Sequence, residues 1–427
     1  MIFFPAYDWA ITPTHPEREE RLLYTQDQVM EEGLLDVEGL VEYRVRPAAF
    51  EDIQRVHFCV PDEGAVTTQS HLISAGGCLV AADAVLKGEV DNAFALVRPP
   101  GHHSKTVVHG NRGFCNINNE AIMIEYLRDK YGVRKVAIVD TDCHHGDGTQ
   151  DIYWHDPDTL FISIHQDGRT LYPGSGFPEE AGGPNAQGLT VNIPLPPRTG
   201  EEGFLYVLET LVMPLLERFE PEIIVNSAGQ DNHFNDPITN MNFSARGYAL
   251  LNARLNPHIA VLEGGYAVES ALPYVNVGII MAMAGLDTSF VKEPNYDRDY
   301  QPQPQDITQY IEKLVAQLKG TFLEGQLRKK GYKAGDMVKR KRDIFYDTDG
   351  IHESQHERVR ACRDCAGALC IESSSSLGQH ILAVHIPRAA CSLCRETGLN
   401  WFEEASRNRA YHHVYLQDRV GRVYERT

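Results

Sequence analysis

The sequence predicts an α/β protein, a mostly parallel sheet covered by helices, followed by a small cysteine- and histidine-bearing module. Two observations carry this. Over residues 1–290 short apolar runs alternate with longer amphipathic stretches, as in repeated strand–helix–strand units. From Ile344 the pattern changes, and five of the nine cysteines fall between 362 and 394. A chain of 427 residues, 42% of them hydrophobic, can bury one large core and something smaller besides.

Strands are predicted over 94–97, 136–140, 160–164, 189–193, 223–227 and 259–262, and the opening run from Met1 to Trp9 reads as a first buried strand. Helices are predicted over 70–87, 118–130, 201–219, 244–256, 268–284 and 307–319. Glycine- and proline-rich turns at 98–101, 146–148, 172–176 and 264–265 follow most strands. In an open α/β sheet, ligands bind in the crevice beyond the carboxyl ends of the strands. The unusual residues of this chain lie in those turns.

Composition narrows the function classes. No apolar run approaches the ~18 residues of a membrane span, and the start meets Pro5 and Asp8 too soon for a signal peptide. A cytoplasmic protein is expected. Residues 321–427 carry 18 Lys+Arg against 14 Asp+Glu, so the formal charge of −19 rests on an excess of 23 negative charges before them. That field disfavours nucleic acid as the main partner and attracts cations weakly. The cysteine cluster, in such a compartment, points to metal rather than disulfides.

The densest chemistry lies in Asp140-Thr141-Asp142-Cys143-His144-His145-Gly146-Asp147, where an apolar strand ends in carboxylates and imidazoles. Residues two apart on an extended chain share a face, so Asp142 and His144 can reach one ion with Asp140 a step deeper. Oxygen and imidazole donors suit zinc or another first-row divalent ion. A catalytic zinc takes three protein ligands and keeps a position open. Asp231, at the end of a second apolar run, is the best-placed third ligand, whereas Asp236 before Pro237 reads as a turn former. The adjacent His102 and His103 follow another strand and could be ligands or a general-base pair. With three ligands already available, catalysis is the better use. Tyr266, after Gly264 and Gly265, could donate to a developing oxyanion.

In their order along the chain these segments resemble the histone deacetylase superfamily, including its bacterial and archaeal class II-like, acetoin-utilisation and acetylpolyamine amidohydrolase members. The resemblance runs from about Phe3 to Gly285. It also takes in His15-Pro16-Glu17-Arg18, residues 113–119, Phe161 to His165 and Leu171 to Gly176. It implies the arginase/deacetylase fold, a sheet of about eight mostly parallel strands between helical layers. It implies Asp142, His144 and Asp231 as ligands of a catalytic zinc, and His103, oriented by Asp147, as general base. His102, paired with Asp140, becomes the electrostatic and proton-donating partner, and Tyr266 polarises the amide carbonyl. Phe114 and Tyr172 become walls of a narrow channel for a linear acyl-amine, with Ile238 near its mouth. A potassium ion is implied beside the metal strand, among Asp140, Asp142, His144, Ser163 and the Ile164 carbonyl. The implied reaction is hydrolysis of an acetyl- or acyl-lysine amide, or a related acylated amine, to free amine and acetate. Acetylpolyamines and small acylated metabolites are the alternative substrates, and a catalytically silent acyl-binding module the alternative class. The two-manganese relatives on this fold need an aspartate where His233 stands, which leaves a second metal short of a ligand.

Cys362, Cys365, Cys391 and Cys394 form two CxxC pairs separated by 25 residues, a zinc-ribbon-like spacing that predicts a structural zinc. Cys370, His380 or His385 could replace one ligand. The expected division is a catalytic domain over 1–320, a basic linker or helix over 321–345 and the zinc-ribbon-like domain over 346–427. Homo-oligomerisation is one use such a module could serve.

Overall fold

The computed structural model describes residues 1–4 and 10–427, with the side chains of residues 3 and 4 left aside. Nine strands belong to the first part: β1 (Ile2–Phe4), β2 (Phe58–Cys59), β3 (Ala93–Val97), β4 (Val107–Val108), β5 (Val136–Asp140), β6 (Thr159–Gln166), β7 (Thr190–Leu195), β8 (Ile223–Ser227) and β9 (Ile259–Val261). Seven of them form one sheet in the order β1-β3-β9-β8-β5-β6-β7, and every pairing is parallel. Seven described strands stand where about eight were expected. The opening run contributes Ile2–Phe4 to the sheet, and residues 5–9 lie outside the described residues.

Helices cover both faces of the sheet, so β3, β5 and β6, and β7 at the edge, are buried along their whole length. The helices follow the expected pattern with local exceptions. Asn118 caps Asn119–Tyr131 by accepting from the Ala121 N–H at 2.8 Å. The stretch 201–219 is continuous but passes through a π turn at Leu208–Val212 just before Pro214, which cannot donate to the preceding turn. The helix expected over 268–284 begins at Leu272, with Pro273 in its first turn, and the one expected over 307–319 spans Gln305–Phe322. No helix among the described residues is long and apolar enough to cross a membrane.

The sheet order reverses between β8 and β5, and the open crevice of such a sheet lies there. Loops after β3, β5, β8 and β9 therefore converge on one spot.

The carboxy-terminal part departs from expectation. Strands β10 (Met337–Tyr346), β11 (Ile351–Arg360), β12 (Leu369–Ser375), β13 (His380–Ile386), β14 (His413–Asp418) and β15 (Val423–Arg426) form a six-stranded sheet in that order, with helix Ser392–Ser406 packed on it. The basic stretch expected as a linker or helix over 321–345 thus ends in a strand, and the boundary at 346 falls inside the module's first hairpin. Arg340 and Arg342 bridge Glu357 on β11 to Asp151 of the first part. Their charge is answered across strands and across the domain junction, which holds them extended. The module is not a bare ribbon either, since its second cysteine pair sits at the start of a helix. Phe58, Val60 and Val107 of the first part share a hydrophobic cluster with Ile371, Ile381, Ala383 and Tyr415 of the module.

Candidate active site

Asp142 and His144 leave β5 and Asp231 follows β8. These three offer donor atoms all within 4.8 Å of one another. His144 Nδ1 lies 2.8 Å from Asp231 Oδ2 and 3.2 Å from Asp142 Oδ1. Backbone amides fix both carboxylates: Gly264 N–H donates to Asp142 Oδ2 at 2.7 Å and Cys143 N–H to Asp231 Oδ1 at 2.8 Å. Glycine is required here because a Cβ on Gly264 would stand 2.5 Å from Asp231 Oδ2 and 2.6 Å from Asp142 Oδ2.

The electrostatics draw positive charge to this spot. Burial opposes ionisation of His144, yet Asp231 and Asp142 raise its pKa to about 10. Burial also opposes the Asp142 carboxylate, but His102 and His144 hold it well below the usual range. Asp236 is pushed up to about 8 by burial and by the charge of Asp231. Two buried carboxylates and one imidazole facing a common point are a donor set that fits a small divalent cation.

The histidine pair follows β3. His102 Nδ1 is 3.1 Å from Asp140 Oδ2, His103 Nδ1 is 3.0 Å from Asp147 Oδ1, and the two ring centroids are 4.1 Å apart. Their protonation is pulled apart. Burial opposes charge on His102, but Asp142 and Asp140 outweigh it and raise the pKa well above the ordinary value. For His103, burial and the facing charge of His102 push it down to about 3. Asp147 cannot reverse this because Arg112 at 2.7 Å and Lys105 at 2.6 Å also claim it. Burial pushes Lys105 down to about 7.

Tyr266, after β9, is buried, and its N–H donates to Asp236 Oδ2 at 2.8 Å. Asp236 is therefore the turn former that its place before Pro237 predicts, and its second oxygen accepts from Ile238 N–H at 3.0 Å. Phe114 meets Tyr266 edge-on at 5.5 Å, and Tyr172 meets His103 at 5.2 Å and His144 at 6.3 Å, so both aromatic rings pack against the site's side chains. Ser163 is the register neighbour of Asp140 on β6, and its hydroxyl lies 2.8 Å from His165 Nδ1. His145 is taken up by Ser175 and Gln150, away from the triad. His233 Nε2 faces Glu293 Oε1 at 3.2 Å, so it offers nothing to a second ion.

Sequence reasoning missed the supports behind these groups. Glu263 accepts from the Gly101 and His102 amides at 2.7 and 3.0 Å. Fully buried Arg21 donates to Gly265 O at 2.7 Å, lies 5.0 Å over the Tyr266 ring and pairs with Glu17, which also holds Arg98. The i,i+4 spacing of Glu17 and Arg21 was the visible signal. Nothing local announces Lys105 or Arg112.

In the module, Cys362, Cys365, Cys391 and Cys394 form a second cluster, its donor atoms also within 4.8 Å of one another. The Cys362 and Cys391 sulfurs are 3.9 Å apart, and Arg360 donates to Cys394 Sγ at 3.3 Å. The alternatives lie elsewhere: His385 Nδ1 contacts Gln417 Oε1, His380 contacts Glu372 and the Ala410 carbonyl, and Cys370 is in the β12 core.

A parallel sheet whose strand ends gather two carboxylates, an imidazole pair and a phenol around one buried point has the parts of a hydrolase. Comparisons with known proteins narrow that class. Residues 64–277 match the histone deacetylase domain family. A probable deacetylase of Archaeoglobus fulgidus is 48% identical over 313 residues, covering 67% of this chain and 86% of the relative. The histone deacetylase-like amidohydrolase of Pseudomonas aeruginosa is 34% identical, covering 71% and 86%. Among solved structures, the HD domain of HDA15 superposes with a TM-score of 0.65 at 25% identity, over 76% of this chain and 95% of that one. The chain belongs to the histone deacetylase family and has its α/β fold.

Proposed function

We propose that the chain is a zinc-dependent deacetylase that hydrolyses the amide of acyl-lysine or a related linear acylated amine. The observation that carries this is the unequal histidine pair, each ring bonded to its own carboxylate beside the Asp142, His144 and Asp231 donors. Zinc held by those three residues would polarise the amide carbonyl and acidify the attacking water.

The chain's own residues do the rest. His103, neutral with its Nδ1–H donated to Asp147, takes a proton from the attacking water at Nε2. His102, kept protonated, stabilises the negative charge developing beside it. Burial holds the Tyr266 phenol well above its ordinary pKa, so its hydroxyl remains a donor to the carbonyl oxygen as that oxygen becomes an oxyanion. The imidazolium formed on His103 then protonates the departing amine. Phe114 and Tyr172 flank the acyl-amine stem and exclude water around it. The four cysteines would hold a second, structural zinc, with four thiolates to fill its tetrahedron.

A fluorogenic acetyl-lysine amide tests the assignment. Turnover should vanish on chelation and return with added zinc; binding of the amide without turnover by the zinc-loaded chain would instead indicate a silent acyl-binding module.

A further inference from the structure

The hairpin joining β10 to β11 reaches from the module to the edge of the active site. Its turn is pinned at both ends: Asp347 Oδ1 accepts from the Gly113 N–H at 2.9 Å and from the Tyr172 hydroxyl at 3.0 Å, and Asp349 Oδ2 accepts from the Asn111 N–H at 2.6 Å. Just before the turn, Tyr346 donates to the Val107 carbonyl at 3.1 Å. Gly113 precedes Phe114, so Asp347 touches the supports of both aromatic residues that pack against the site.

Asp347 is exposed; its Oδ1 takes both the Gly113 and the Tyr172 hydrogen bonds, and no lysine or arginine pairs with its carboxylate among the described residues. The one guanidinium near Tyr172, that of Arg112, lies 5.4 Å over the ring but is committed to Asp147. His15, edge-on to Phe114 at 4.4 Å, accepts from the Glu17 N–H at 2.9 Å through Nδ1; burial lowers its pKa although Glu17 and Asp347 pull the other way, so it is a weak cation beside Asp347. The rim therefore presents aromatic faces and one carboxylate that no lysine or arginine answers, a combination that recognises a cation. The chain's excess of acidic residues adds long-range attraction of the same sign.

We propose that the carboxy-terminal module completes the substrate entrance, and that Asp347 selects linear acylated amines bearing a second positive charge beyond the amide. This rests on the deacetylase reading above and goes beyond it. Ile238, the candidate mouth residue in the sequence, is apolar, and Asp347 lies in the module more than a hundred residues later.

The test compares N-acetyl-diaminoalkanes of about four to eight carbons with N-acetyl-alkylamines of equal length, using the zinc-loaded full chain. The native protein should prefer the cationic series by about five- to tenfold in kcat/KM at low salt, and less at high salt, as expected for an exposed ion pair. Asp347→Asn keeps an acceptor for Gly113 and Tyr172 but removes the charge, and should bring the ratio to within about twofold. Asp347→Lys should invert it. An unselective native protein, a ratio that survives Asp347→Asn, or an equal loss on both series in that variant would each overturn the proposal. Turnover of the acetyl-lysine amide with neither series accepted would overturn this proposal alone; turnover of none of the three would overturn the deacetylase reading, and this proposal with it.

Discussion

The two donor clusters of this molecule each gather their donor atoms within 4.8 Å of one another, yet they are differently built. Asp142, His144 and Asp231 come from two parallel strand ends, mix oxygen with nitrogen, and share a buried pocket with His102, His103 and Tyr266. Cys362, Cys365, Cys391 and Cys394 come from a loop and a helix start, offer sulfur alone, and have Arg360 as their charged neighbour. Three donors leave a tetrahedral ion one free position, and four leave none. The difference teaches that what surrounds a cluster, rather than its compactness, separates a reactive centre from a structural staple. Around the first, the two neighbouring imidazoles are biased in opposite directions, His102 up and His103 down. Around the second, the module's apolar core packs instead.

The largest effect should come from breaking the three-donor cluster. Asp231→Ala, or loss of Asp142 or His144, should abolish turnover, by about 10³-fold or more, since the activated water and the polarised carbonyl are lost together. Metal analysis sharpens the comparison. The native chain should hold about two zinc equivalents and these variants about one. A single equivalent in the native chain that survives Asp231→Ala would collapse the two-cluster distinction. Next, Tyr266→Phe should keep both equivalents while lowering kcat by about 10²–10³, the usual loss for one oxyanion donor. Unchanged turnover would remove Tyr266 from the chemistry.

The cysteine cluster should show the opposite signature. Cys391→Ser with Cys394→Ser should lose one equivalent and loosen residues 337–427 toward protease, because a structural zinc contributes to folding directly. Turnover should fall by only about ten- to thirtyfold, through the slackened hairpin that braces the 109–113 loop and, through Arg112, the Asp147–His103 bond. Complete loss of turnover with the first zinc still bound would mean that the module takes a direct part in the chemistry.

How much of this was legible in the sequence follows the same division. The strands of the first part are continuous apolar runs because both faces are covered, and their ends are marked by glycine and clustered ionisable residues. Asp142, His144, Asp231 and the histidine pair could therefore be found from chain order alone. The module's first strand could not. In β10 the positions from Met337 to Asp343 carry no buried apolar residue, since Arg340 and Arg342 face Asp151 and Glu357 and satisfy charge instead of burying carbon. A strand held by cross-domain ion pairs has no hydrophobic alternation to read. Asp347 was hidden for a related reason: its partners Gly113 and Tyr172 are remote in sequence, and an acidic turn residue looks like any other.

The smallest predicted effect discriminates within the reactive centre. His102 and His103 are adjacent, both buried and both bonded to carboxylates, yet their surroundings assign them opposite charge. His102 is raised because Asp142 and Asp140 overcome its burial, whereas His103 is lowered to about 3 by burial and by the charge on His102. A proton acceptor must be neutral before reaction, and at neutral pH only His103 qualifies. His103→Ala should therefore be the more damaging change, by about tenfold, or ~1.4 kcal/mol in the barrier. A proton on His102 is present below its raised pKa and lost as pH climbs through it, so this residue contributes the alkaline limb of the rate profile. A divalent ion on Asp142 would offset part of the negative charge that raises His102 and should move that limb down toward neutrality. Rings 4.1 Å apart titrate together, so each observed limb belongs to the pair. The variants separate what the profile blends: His102→Ala should retain turnover with its alkaline limb displaced. His103→Ala loses the acceptor at every pH, so its residual rate should not recover anywhere along the profile. Equal impairment with superimposable profiles would mean that Asp140 and Asp147 do not divide the labour between the two rings.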